Sequence, residues 1–313
     1  MERLRIAITG ASGFIGANLV RYFSKKHEVF ALSRNLDSWR LNGYNIIHFD
    51  IKNREEVKKQ IRKIKPDIII HCAVYGGYHF ETSTKEIIET NIIGTINLID
   101  ACKQNTAILI NTGSSSEYGI KDKPMKESDI IEPNTDYAMS KAIITNLLKQ
   151  TEIKSITLRL FSVYGYYEEK HRLIPYVLYS SIKNEIAYLS NKNNVRDFVF
   201  IEDINKAYEF AIKKIYKINS GETFNIGTGV QSKVIDVVKL AKARVIWSKD
   251  IRPEEPENRV WKADITKAKK ELGWIPYYDL EKGLEKTKKW MIENINLYED
   301  EKNEKYKRLK VNS

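Results

Sequence analysis

Thr9-Gly10-Ala11-Ser12-Gly13-Phe14-Ile15-Gly16 stands between a short apolar run, residues 4–9, and a helical pattern over residues 14–25. Three glycines spaced Gly-x-x-Gly-x-x-Gly, after a strand and opening a helix, suit a phosphate-rich cofactor. Gly10 permits the tight turn, Gly13 lets backbone N–H groups approach a pyrophosphate, and Gly16 lets helix and sheet pack closely. The positive end of the helix then faces the phosphates. Ser12, Phe14 and Ile15 belong to the same expected cradle.

Outward from this loop, the first half of the chain alternates. Residues 4–9, 29–33, 46–50, 67–72, 107–112 and 156–161 read as buried strands, rich in β-branched residues. Residues 14–25, 54–65, 85–104 and 136–150 show helical spacing. The alternation predicts an α/β fold: a Rossmann-type doubly wound parallel sheet with right-handed crossovers. A smaller, mixed C-terminal region is expected to bind substrate. The expected division is 1–165 for the dinucleotide-binding domain, 166–293 for the substrate region and 294–313 for a charged, disordered tail. Ligands of such sheets bind beyond the carboxyl ends of the strands, where Gly10, Ser33, residues 72–75, Ser114 and Ser162 fall.

Composition narrows the class. The 313 residues are 42% hydrophobic and 30% charged, ordinary values for a soluble enzyme. The longest apolar runs are too short to span a bilayer, and no signal-peptide pattern opens the chain. Cys72 and Cys102 show no metal or disulfide spacing, so no metal is expected and a reducing, cytoplasmic location is. The net charge of +11 comes from dispersed lysines without an aromatic-interleaved basic block. That pattern argues against nucleic acid and agrees with small polyanionic ligands.

The end of the second strand bears on the dinucleotide. A carboxylate there would bond the ribose of NAD; Ser33-Arg34 offers a hydroxyl and a guanidinium, which suit the extra phosphate of NADP. NADP is preferred, with NAD possible. Tyr-x-x-x-Lys occurs eight times, and only context singles out Tyr137/Lys141, which follows Pro133-Asn134-Thr135, a helix start.

Together these segments resemble the extended short-chain dehydrogenase/reductase family, the nucleotide-sugar epimerases, dehydratases and ketoreductases. The resemblance runs from Thr9 to about Trp290. It implies a catalytic Ser114, Tyr137 and Lys141, and a cofactor site that includes Asp50, Ile51, Cys72, Ala73, Val74, Asn91 and Phe161. Tyr137 would exchange a proton with the sugar, Lys141 would lower the phenol and hold the nicotinamide ribose, and Ser114 would steady the sugar oxygen. Ser115, Ser162, Arg172, Arg196 and Arg252 are the expected substrate contacts, the arginines for the diphosphate. Dehydratases of the family carry an Asp and a Glu where this chain has Ser115 and Ser116. A one-residue shift of the loop would bring Glu117 into the glutamate's place.

The resulting expectation is an NADP(H)-dependent reductase of the C4 ketone of a nucleotide-linked deoxysugar. The alternative is an NAD-dependent 4-epimerase, and a non-catalytic dinucleotide sensor is a distant rival. The resemblance also implies a homodimer formed through the helices at 85–104 and 136–150.

Overall fold

A computed structural model of the protein describes residues 3–78, 80–247 and 259–299. Arg252 and residues 300–313 lie outside the described residues. Six strands come from the first half of the chain: β1 (Arg5–Thr9), β2 (Glu28–Ser33), β3 (Ile46–His48), β4 (Ile68–His71), β5 (Ile108–Ser114) and β6 (Ser155–Leu160). They join a seventh, Glu222–Ile226, in one sheet whose order is seventh-β6-β5-β4-β1-β2-β3. Every pairing in it is parallel. The order reverses between β1 and β4, so their carboxyl ends diverge into a cleft, as expected of a doubly wound sheet.

Side-chain alternation explains why both faces are covered. Ile6, Ile8, Ile68, Ile70 and Ile110 enter one core, with Ala17 and Leu19 of the helix Phe14–Phe23 and Ile204 of the helix Ile201–Lys214. Ala7, Ile69 and Leu109 point the other way, to Val57 and Ile61 of Arg54–Ile64 and to Leu98 of Gly94–Asn105. Successive residues of a strand face opposite sides, so uninterrupted apolar strands need helices on both.

The expected boundary after residue 165 is crossed by the sheet. Its seventh strand pairs with β6 from Glu222↔Ile156 to Ile226↔Leu160. Two short strands, Val195–Arg196 and Phe198–Phe200, are separated by a break at Asp197. The Asp197 carboxylate is fully buried and accepts from the Thr228, Gly229 and Ala263 amides and the Thr228 hydroxyl. A buried carboxylate must find donors, and gathering these four bends the chain. Of the tail expected to be disordered from residue 294, only residues 294–299 are described. Asn296–Glu299 is helical, with Tyr298 buried and its hydroxyl donating to the Glu168 carbonyl at 3.1 Å. No helix among the described residues is long and apolar enough to cross a membrane.

Candidate active site

A cleft of about 1110 Å³ opens at the carboxyl ends of the strands. Its floor is the opening glycine loop. Gly10 has φ 63°, and a Cβ there would lie 2.6 Å from the Ala73 amide nitrogen, so both the conformation and the close approach to β4 require glycine. The helix Phe14–Phe23 begins here without a side-chain cap or an acidic residue in its first turn. Its leading N–H groups, at Phe14, Ile15 and Gly16, line the cleft. A helix start left uncapped and facing a cavity fits a pyrophosphate. The buried Thr90 hydroxyl, on the same lining, has no hydrogen-bond partner among the described residues. These features fit a dinucleotide.

Ser33, Arg34, Ile51, Cys72, Ala73, Val74 and Phe161 all line the cleft. Ser33 has a second duty. Its hydroxyl lies 2.7 Å from that of Ser12 and accepts from the Asn35 amide at 3.1 Å, tying β2 to the glycine loop. Arg34 is exposed and forms no ion pair among the described residues. Cys72 is a thiol, pushed up to about 11 by burial, with its sulfur 3.3 Å from the Thr112 hydroxyl.

Asp50 and Asn91 do their work outside the lining. The Asp50 carboxylate accepts from the Lys52 amide at 3.0 Å. Asn91 holds the loop after β4 through both ends of its amide: Tyr75 N–H donates to it at 2.8 Å, and it donates to the Tyr75 carbonyl at 2.8 Å. It also donates to Ser140, whose hydroxyl donates to the Tyr137 carbonyl. Asn91 therefore ties the loop after β4 to the helix that carries Tyr137. Nearby His71 is buried and held neutral, its value lowered to about 3 by desolvation. Its ring bridges Thr9 and Thr95 at 2.7 and 2.9 Å. Since Thr95 donates to the Asn91 carbonyl, Nε2 of His71 carries the proton.

The three expected catalytic residues meet in this cleft. The helix Asp136–Lys149 starts at Thr135, whose hydroxyl accepts from the Ala138 amide at 3.1 Å. That cap sets Tyr137 in the first turn, near enough to Ser114 at the end of β5 for the serine hydroxyl to favour the phenolate. Lys141, one turn on, is 6% exposed and donates to the Thr112 carbonyl at 2.8 Å. Burial lowers its amine to about 8. The expectation that Lys141 draws the phenol down is not met. Burial is the largest influence on Tyr137 and raises it, while the Ser114 hydrogen bond and the Arg172 charge pull the other way.

Ser115 and Ser116 line the cleft. Glu117 turns into the protein: it is fully buried, accepts from the Ser114 amide at 2.9 Å and pairs with Arg159 at 2.8 Å. The loop shift that would give Glu117 a dehydratase role is thereby closed. Arg159 is 2% exposed and stacks on Tyr118, whose hydroxyl donates to Asn225 on the seventh strand.

Of the expected substrate residues, Ser162, Arg172 and Arg196 line the cleft with Ser115. Arg172 belongs to the reacting end rather than with Arg196. Its charge reaches Tyr137, and it donates to the Gly77 carbonyl at 3.5 Å. Arg196 sits against Trp261, with its guanidinium 5.4 Å from the ring centroid. A second guanidinium, Arg259, stacks 4.3 Å from that ring. Sequence reading missed Arg259 and Trp261, which carry no motif of their own. It also missed Tyr78, Glu168 and Glu169, whose meeting requires loops after β4 and β6 to converge.

A model of the NAD dependent epimerase/dehydratase family matches residues 6–227. The chain belongs to that family. A dTDP-glucose 4,6-dehydratase from Neisseria meningitidis is 26% identical, with 97% of each chain covered. A UDP-glucose 4-epimerase from Lactobacillus helveticus is 28% identical over 95% of this chain and 100% of its own. Among solved structures, the UDP-glucose 4-epimerase of Thermotoga maritima with UDP-glucose superposes with a TM-score of 0.83 at 24% identity, covering 93% and 99% of the two chains. As a member of the epimerase/dehydratase family, the protein is an NAD-dependent enzyme of nucleotide-sugar modification.

Proposed function

We propose that this epimerase/dehydratase family member reduces the C4 ketone of a nucleotide-linked deoxysugar with NADPH. The observation that carries this reading is the pair of cleft-lining hydroxyls, Ser115 and Ser116, where acid–base carboxylates are needed for dehydration, with Glu117 locked on Arg159. Arg34, exposed on the cleft wall at the end of β2, supplies a cation for a ribose phosphate. The dinucleotide would hold the hydride that reaches C4. Ser114 and Tyr137 hold the C4 oxygen between two hydroxyls, and Tyr137 gives it a proton as negative charge develops. Lys141 supplies the adjacent positive charge. Arg196 and Arg259, both against Trp261, receive the diphosphate.

A second reading is a redox-neutral 4-epimerase that retains NAD. It is favoured by a hydrogen bond between two cleft-lining residues, from the Tyr78 hydroxyl to the Glu169 carboxylate, which suits a cofactor that stays. Incubating the protein with 4-keto sugar nucleotides and NADPH, and following absorbance at the reduced nicotinamide band, tests both. Stoichiometric oxidation supports the reductase; epimerised sugar without net oxidation supports the second reading.

The family member is further proposed to act as a homodimer. Ile88, Ile93 and Ile96 on one helical stretch, and Met139 and Ile143 on the adjoining helix, are each at least 36% exposed. Such a stripe on two neighbouring helices is suited to a four-helix contact with a second copy.

A further inference from the structure

Three segments that are distant in sequence meet through residues that line the cleft or bond to it. After β2, the Arg40 guanidinium is 8% exposed and pairs with Glu169 at 2.6 Å. It also donates to the Tyr167 carbonyl at 2.7 Å and to the Ser12 carbonyl of the glycine loop at 3.4 Å. After β4, Tyr78 donates its hydroxyl to the same Glu169 carboxylate. Its ring stacks on Phe80 at 5.3 Å and meets His171 edge-on at 5.3 Å. After β6, Tyr167 adopts φ 66°, an unfavourable conformation for a large side chain. The neighbouring Asn18 amide, donating to the Tyr166 carbonyl at 2.9 Å, helps hold it there. Arg172 adds a fourth tie, bonding Gly77 and lying 5.5 Å from the Tyr78 ring centroid.

The placement matters because of what lies beneath. Ser12 and Phe14 mark the expected pyrophosphate, and Ala73 with Tyr137 marks the nicotinamide half. The Tyr78 and Glu169 side chains line the same cleft. Both partners of Glu169, the Tyr78 phenol and the Arg40 guanidinium, are mostly desolvated.

The geometry points to a clasp: Tyr78, Glu169 and Arg40 close over the bound dinucleotide and set the rate at which it leaves. The inference rests on the cleft holding a dinucleotide and deepens the functional reading. A reductase must open the clasp every cycle, whereas an epimerase keeps it shut.

The test uses the full chain loaded with NADPH, whose fluorescence is followed in a stopped-flow instrument after mixing with excess NADP⁺. Tyr78→Phe and Glu169→Gln are each expected to speed release by about tenfold, the effect of losing one charge-assisted hydrogen bond. Arg40→Lys, which keeps charge but not the fork, should fall between parent and Glu169→Gln. Because Glu169→Gln could weaken the fold, Tyr78→Phe is the decisive variant, checked by an unchanged melting temperature. Release rates within about twofold of the parent in both variants overturn the clasp. Faster release in a protein that turns over no 4-keto sugar nucleotide leaves the clasp standing and removes the reductase reading. Turnover with unaltered release does the reverse.

Discussion

Lys141 donates its buried ammonium to the Thr112 carbonyl at 2.8 Å, with its nitrogen 6.0 Å from the centre of the Tyr137 ring. The amine is thus anchored to β5 one helical turn beyond the phenol, and its charge is exposed to the same desolvation that raises Tyr137. The catalytic consequence is a pair of groups whose protonation both depend on a dry cleft.

Replacing Tyr137 by Phe removes the proton donor while keeping the ring that fills the cleft. Turnover should fall by about 10²- to 10⁴-fold, with NADPH affinity unchanged. Steady-state kinetics beside fluorescence titration check this; undiminished turnover would remove Tyr137 from the mechanism.

The Lys141 amine, lowered to about 8 by burial, should impose an alkaline limb on kcat. Below that value it is charged and active; above it the charge is lost and the rate declines. The Lys141→Arg variant, if it folds, should move the limb upward. Stability has a matching sign. The folded amine sheds its proton before the unfolded one, so the unfolded state binds more protons between about 8 and about 10.4, and stability from this site rises with pH across that window. Denaturant titrations of the parent and Lys141→Met as a function of pH measure the difference.

Arg34→Ala should weaken NADPH binding by about 10- to 100-fold, the worth of charge-assisted hydrogen bonds, and leave NADH binding nearly unchanged. Calorimetry with both dinucleotides decides it. Equal losses for the two would assign Arg34 no part in distinguishing them.

Glu117→Gln breaks a buried ion pair with Arg159 and should destabilise the fold by about 3–5 kcal/mol. Activity per folded molecule should persist, because Glu117 does not line the cleft. A folded variant with abolished turnover would reopen a catalytic role for that carboxylate.

Ile96→Asp together with Ile143→Lys should convert a dimer to monomer in sedimentation velocity, since each side chain stands on the exposed helical stripe. A single monomeric species in the parent would overturn the dimer instead.

Local pattern made much of this legible. The six strands at the amino-terminal side appear within about two residues of their expected ends, because β-branched runs of five or six residues cannot be covered otherwise. Gly10 and Gly16 are read correctly because their spacing encodes contacts made within a strand–turn–helix unit. The lowered phenol was misjudged for the opposite reason. Sequence places an amine four residues from Tyr137, but burial, a product of packing, is the largest influence on the phenol and raises it. The break at Asp197 is similar, since its four donors come from residues more than thirty positions away.

What the chain's order of residues determined is the alternation of strands and helices, the glycine turn and the one-turn spacing of Tyr137 and Lys141. Each is written in local pattern, where backbone geometry alone brings the groups together. Folding in three dimensions decided the rest: that Glu117 is spent on Arg159, that Arg259 joins Arg196 at Trp261, and that Tyr78, Glu169 and Arg40 meet above the cleft. Those contacts join segments from separate strand ends, and only the closing of the whole sheet and its loops fixes which side chains lose water together.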